Sequence, residues 1–140
     1  MGENLKSDVI NTAESFTRNF SNKGNFDYSV ESLIKVEDLL DELSKFELGE
    51  NNLYSVSSMV GSYILEVARR NYGGEYYWIQ ENEQPILVTG KPDFDVSIYA
   101  FQKVKDRLIN GEEDNIMFYF KGYIEAVERG RKTGDCITIV

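Results

Sequence analysis

The chain has 140 residues, with 24 acidic and 15 basic side chains, for a net charge of −9. It holds no histidine and a single cysteine, so the usual general base, the commonest metal ligand and any intrachain disulfide are all excluded. A zinc site of the ordinary kind is excluded with them. Phosphate backbones repel an acidic surface, so no nucleic-acid partner is expected.

Leu5, Val9, Ala13, Phe16 and Phe20 recur at three- and four-residue steps, which predicts an amphipathic helix over residues 4–20. A loop follows at Ser21–Asn25. A second helix is expected from Ser29 to Phe46, capped by Asp27 or Ser29. Its stripe is Leu33, Val36 or Glu37, Leu40 and Leu43. Its other face carries Glu31, Glu37, Asp38, Asp41 and Glu42, and reads as solvated or as a docking face for a basic partner.

A third helix is expected from Tyr54 to Tyr72, with Val56, Val60, Tyr63, Ile64 and Val67 inward. Gly61 inside it costs about 1 kcal/mol against alanine, which close approach of a neighbouring helix would offset. Glu66 precedes Arg70 by four residues, the favourable order for an ion pair. Gly73-Gly74 ends the helix as a cap.

Glu75–Gln80 is aromatic and β-branched, a strand with Tyr76 and Trp78 on one face and Tyr77 and Ile79 on the other. Pro85–Thr89 returns after a polar turn, and Phe94–Ser97 is a third short strand. Short connections make the pairing antiparallel. Helices follow at 99–109 and from Glu112 to Arg129, the second opened by Glu112-Glu113-Asp114, where acids complement the helix dipole. Cys136–Val140 is β-prone and adds an edge strand or lies on the core. The expected fold is α+β, with about five helices around a small antiparallel sheet. It forms one domain over 1–140: helical 1–72, hairpin and sheet 75–97, helical 98–129, β-prone tail 135–140.

Three constellations invite a chemical reading. Glu112-Glu113-Asp114 reads as helix-start acids, not as a metal cluster. Asp93 and Asp95 alternate along a strand, but EF-hand spacing is absent. Glu66, one turn before Arg69 and Arg70, is the carboxylate with the best prospect of a perturbed environment. Neither catalytic residue nor cofactor is assigned.

Two segments resemble a family of small uncharacterised bacterial proteins. Asp27-Tyr28-Ser29-Val30-Glu31-Ser32-Leu33 resembles its D-Y-S-x-x-S-L helix start. Gly61-Ser62-Tyr63-Ile64-Leu65-Glu66-Val67, followed by Gly73-Gly74 and the aromatic strand, resembles its G-x-Y-x-x-E-V helix and G-G-x-W hairpin. This chain has Tyr76-Tyr77-Trp78 where one tryptophan is usual. The resemblance implies an α+β domain of the bacterial cytoplasm and carries no activity.

The leading expectation is a non-enzymatic interaction protein that meets a basic partner, as immunity or regulatory proteins do. Its surface would comprise Tyr76, Tyr77, Trp78 and the acidic second helix. One alternative is a ligand binder or enzyme using Glu66, Arg69 or Arg70 in a cleft beside the hairpin. A third reading is a structural subunit, such as a homodimer, joined through Ile137–Val140. No membrane partner is expected, since no run reaches the ~18–20 apolar residues of a bilayer span.

Overall fold

The computed structural model describes residues 2–140; Met1 and the side chain of Glu3 lie outside what it describes. Five α-helices and four strands follow in the order α1 (Gly2–Asn19), α2 (Leu33–Leu43), α3 (Glu50–Tyr72), β1 (Glu75–Ile79), β2 (Gln84–Thr89), β3 (Asp95–Ile98), α4 (Ala100–Asn110), α5 (Ile116–Thr133) and β4 (Cys136–Ile139).

Helix α2 is entered through a 3-10 turn at Val30–Ser32, which Ser29 caps by accepting the Ser32 N–H at 3.1 Å. Asp27 then accepts from both the N–H and the hydroxyl of Ser29. Both candidate caps are used, in series. The helix stops at Leu43, three residues before the expected end at Phe46. Helix α3 starts at Glu50, four residues earlier than the sequence pattern suggests. Its apolar stripe begins only at Leu53, and Gly49, an N-cap with extended backbone, sets the true start. Gly73, at φ 80°, closes it by donating its N–H to the Arg69 carbonyl at 2.8 Å.

The strands lie in the order β1-β2-β3-β4. β1, β2 and β3 pair antiparallel, as short turns require. β4 pairs parallel to β3, which makes the sheet mixed instead of antiparallel. The chain between β3 and β4 contains α4 and α5, long enough for a crossover, and the antiparallel rule applies only to hairpins. The Asp95 N–H to Asp135 carbonyl and Tyr99 N–H to Ile139 carbonyl bonds, at 3.3 and 3.1 Å, flank this ladder. Backbone groups alternate sides along a strand, so Cys136 and Thr138 turn theirs to the free edge.

Tyr76, Leu87, Ile98 and Ile139 form one cross-strand row on the face that packs against the helices. Their partners in the core include Phe16, Leu33, Leu40, Ile64, Phe120 and Tyr123. Ile86 and Val88 point the other way, buried but outside this cluster.

Glycines mark two close approaches. A Cβ at Gly61 would lie 2.5 Å from Phe101 Cδ1 and 3.0 Å from Phe101 Cα, so α4 crosses α3 at this point. The neighbouring helix expected from the sequence is therefore α4. Gly130 lies inside α5, and Phe94 packs where its side chain would stand.

Glu112–Asp114 forms its own 3-10 turn and does not open the last helix. Asn115 caps α5 instead, accepting the Phe118 N–H at 3.0 Å. Among the described residues no helix is long and apolar enough to cross a membrane.

Candidate functional site

The three aromatic residues of β1 go to three different places. Tyr76 is buried, and its hydroxyl donates to Glu66 Oε2 at 2.6 Å. This corrects the expectation of Tyr76 on a recognition surface: the residue ties β1 to α3 from inside. Tyr77 faces away from the helices, beside Lys91, whose ammonium sits 4.9 Å from the ring centre. Trp78 turns to the helix side but stays 39% exposed, at the rim of a groove.

Glu66 is fully buried, and its carboxylate is saturated. Arg69 donates Nε to Oε2 at 2.6 Å and Nη2 to Oε1 at 3.0 Å. Arg70 donates Nε to Oε1 at 2.9 Å. Burial would raise the carboxyl pKa, but the hydrogen bonds from Arg69, Tyr76 and Arg70 outweigh it and hold the group below its ordinary 4.5. The Arg70 guanidinium also lies 3.7 Å above the Tyr28 ring. A carboxylate with this pKa and these partners stays ionised and has no lone pair free for a substrate. The cluster fastens the hairpin, the end of α3 and the Tyr28 loop together. None of Glu66, Arg69 and Arg70 is among the residues lining the clefts described below.

A second buried network left one trace in the sequence pattern, the choice between Val36 and Glu37 in the inward stripe of α2. Arg107 on α4 is 1% exposed and reaches across to α2. Its Nε and Nη2 donate to Glu37 Oε2 at 2.8 and 2.6 Å, and Nη2 also donates to Asp41 Oδ1 at 3.1 Å. Glu37 Oε1 accepts the first N–H of α5, from Ile116, at 2.9 Å. Glu37 thus joins α2, α4 and α5 at one point. Glu37, which the sequence placed either in the stripe or on the acidic face, is structural, and Asp41 of that face joins it while staying 45% exposed.

One open feature is a groove over the N-terminal half of α3. It consists of two clefts of about 210 and 230 Å³ that share Tyr54 and Phe101. The first runs between α3, the β1–β2 turn and the start of α4; Glu50, Ser57, Glu83, Gln84 and Lys105 are among its lining. The second lies between α1, α3 and β1, with Asp8, Thr12, Trp78 and Pro85 among its lining.

Phe101 is pinned on Gly61, so that wall is rigid. Tyr54 is 64% exposed and stands between the clefts. Gln84 is buried, and its Oε1 accepts the Gln102 N–H at 3.4 Å at the start of α4. Among the described residues Asp8, Glu50 and Glu83 form no ion pair, and neither does Lys105. Ser57 is 6% exposed, and its Oγ is buried without a hydrogen-bond partner among them.

Of the sequence candidates, only Trp78 reaches this groove. The signal for the rest was indirect: Gly61 implied a neighbour, and that neighbour, Phe101, is the shared wall. The other acidic candidates also resolve locally. Asp93 lies in a turn outside β3, and Asp95 stands 4.0 Å from the Lys91 ammonium. Asp114 accepts from Lys103 at 2.8 Å and from Asn110 at 3.2 Å. Among the described residues no group of three or more acids and cysteines is arranged to hold a metal. Comparison with protein-family models, with curated proteins and with solved structures finds no match. The functional reading rests on the groove itself.

Proposed function

We propose that this chain is a non-enzymatic recognition module that takes a segment of a basic protein partner in the groove between α1, α3 and the hairpin. The observation that carries this reading is the pair of adjoining clefts walled by Tyr54, Trp78 and Phe101. Exposed tyrosine and tryptophan around a rigid apolar wall are the ordinary makings of a binding hot spot. Asp8, Glu50 and Glu83 rim the groove against Lys105, so its charge balance favours a cationic segment. The closed state of Glu66 supports recognition over catalysis.

The test is a selection of displayed random heptapeptides on the purified protein. Peptides retained by wild type and lost on Tyr54→Ala/Trp78→Ala, with an excess of basic residues, agree with the proposal. Peptides that bind both proteins equally contradict it. Both side chains are exposed enough for the variant to fold.

A second reading has one observation in its favour. β4 is an edge strand whose Cys136 and Thr138 backbone groups face outward, and it carries no lysine or proline. A homodimer through this edge would sediment at twice the mass of the chain. Monomeric sedimentation at micromolar concentration would dismiss it.

A further inference from the structure

The geometry points to the cleft between Tyr54 and Phe101 as a receptor for an arginine side chain of the partner. This rests on the recognition reading above and names the chemistry of its anchor.

The walls come first. Tyr54 and Phe101 offer aromatic surface on which a guanidinium plane and its methylene stem can lie. The same chain already uses this contact internally, where Arg70 lies over Tyr28 at 3.7 Å.

The charges come next. Glu50 and Glu83 both line the cleft, and neither has an ion-pair partner among the described residues. Both acids are exposed, so their carboxylates are free to turn toward a guest in the cleft. Lys105 is the single cation of the lining, so a cationic guest gains more than it loses.

The floor is the independent observation. Ser57 Oγ is buried with no partner among the described residues, an arrangement that costs free energy in the free protein. A guanidinium has five N–H donors in a fixed fork and can meet a hydroxyl and a carboxylate together. Lysine has the charge but lacks the plane. The volume of about 210 Å³ suits one long side chain and leaves no room for a folded element.

The probe is the blocked tripeptide acetyl-Ala-Arg-Ala-amide, titrated into the full-length ¹⁵N-labelled chain, with acetyl-Ala-Leu-Ala-amide as the apolar control. The arginine peptide is expected to shift the amides of Tyr54, Ser57, Gln84 and Gln102 well beyond the leucine peptide. Glu50→Gln/Glu83→Gln is expected to weaken it about tenfold, the combined effect of two surface-type ion pairs. Ser57→Ala is expected to weaken it about threefold while leaving stability equal or higher, because it removes an unsatisfied buried hydroxyl.

Equal shifts from both peptides, with no effect of the double variant, would overturn the arginine assignment. The groove would then be an apolar receptor, and the recognition reading would stand. Absence of shifts from either peptide would also overturn the assignment. The broader reading fails separately, when displayed peptides bind wild type and the Tyr54→Ala/Trp78→Ala variant equally.

Discussion

The Tyr76 hydroxyl and the Glu66 carboxylate meet at 2.6 Å in the interior, one from the first strand and the other from the central helix. Glu66 needs Arg69, Arg70 and Tyr76 together, since an ionised carboxylate without partners is costly to bury. Tyr76→Phe removes one bond to a charged group and should cost about 1.5–3 kcal/mol. Glu66→Ala leaves Arg69 without its carboxylate and should cost about 3–5 kcal/mol. Urea unfolding of the two variants against wild type measures both. A cost below about 0.5 kcal/mol for Tyr76→Phe would contradict the interior role given to this residue.

Arg107 should be as sensitive. Arg107→Ala strips Glu37 and Asp41 of their shared cation and should cost about 3 kcal/mol or more. Arg107→Lys keeps the charge but loses the fork that spans two acids, so it should restore only part. Glu37→Gln should cost less than Arg107→Ala, because its amide oxygen can still accept the Ile116 N–H. Thermal or urea unfolding checks the order.

Two glycines in helices should respond in opposite directions. Gly61→Ala gains helix propensity but drives a Cβ onto the ring and backbone of Phe101. The clash outweighs the propensity, for a net loss of about 1–3 kcal/mol. At Gly122 in α5, nothing lies within 4 Å of where an added Cβ would stand. Gly122→Ala should therefore stabilise by about 0.5–1 kcal/mol. The Gly61 variant should also lose peptide binding, since Phe101 is a wall of the groove.

Stability should form a plateau with two edges. With no histidine, the chain lacks the side chain that ordinarily titrates between about pH 5 and 8. On the acid side, Glu66 is held below its ordinary 4.5, so its contribution is complete above that value and fades as pH falls toward the folded pKa. On the alkaline side, burial pushes the Tyr123 hydroxyl up from 10.0 to about 12, despite its bond to Thr89. Burial raises Tyr76 and Tyr119 as well. These groups contribute fully below pH 10.0 and lose stability as pH rises through the folded values. Melting temperatures from about pH 3 to about pH 11 should be flat in the middle and fall at both ends. A midpoint drop near about pH 6.5, the ordinary histidine range, would contradict this.

Local patterns carried most of the fold. The five helices and the first three strands follow from apolar periods, glycine stops and turn residues. The parallel pairing of β4 does not, because strand order depends on where α4 and α5 deliver the chain. The α5 start lies later than the acids suggest, because the Glu112–Asp114 run satisfies its own 3-10 turn before Asn115 caps the helix. The site was far less legible. Glu66 was visible as an unusual carboxylate, but only the fold shows Tyr76 completing its shell. Tyr76, Tyr77 and Trp78 are adjacent in sequence, yet strand alternation and depth send them to separate environments. Phe101 and Tyr54 are 47 positions apart in the numbering and meet only because α4 crosses α3 at Gly61. Gly61 announces a close neighbour, but no local pattern says which residue it is.

The proposed role of the groove is to bind a basic protein segment. The most direct measurement is affinity capture from lysate by wild type and by Tyr54→Ala/Trp78→Ala side by side, at low and high salt, quantified by mass spectrometry. A stoichiometric basic protein should be held by wild type at low salt, released at high salt and absent from the variant. A partner captured equally by both proteins, or one indifferent to salt, would contradict it.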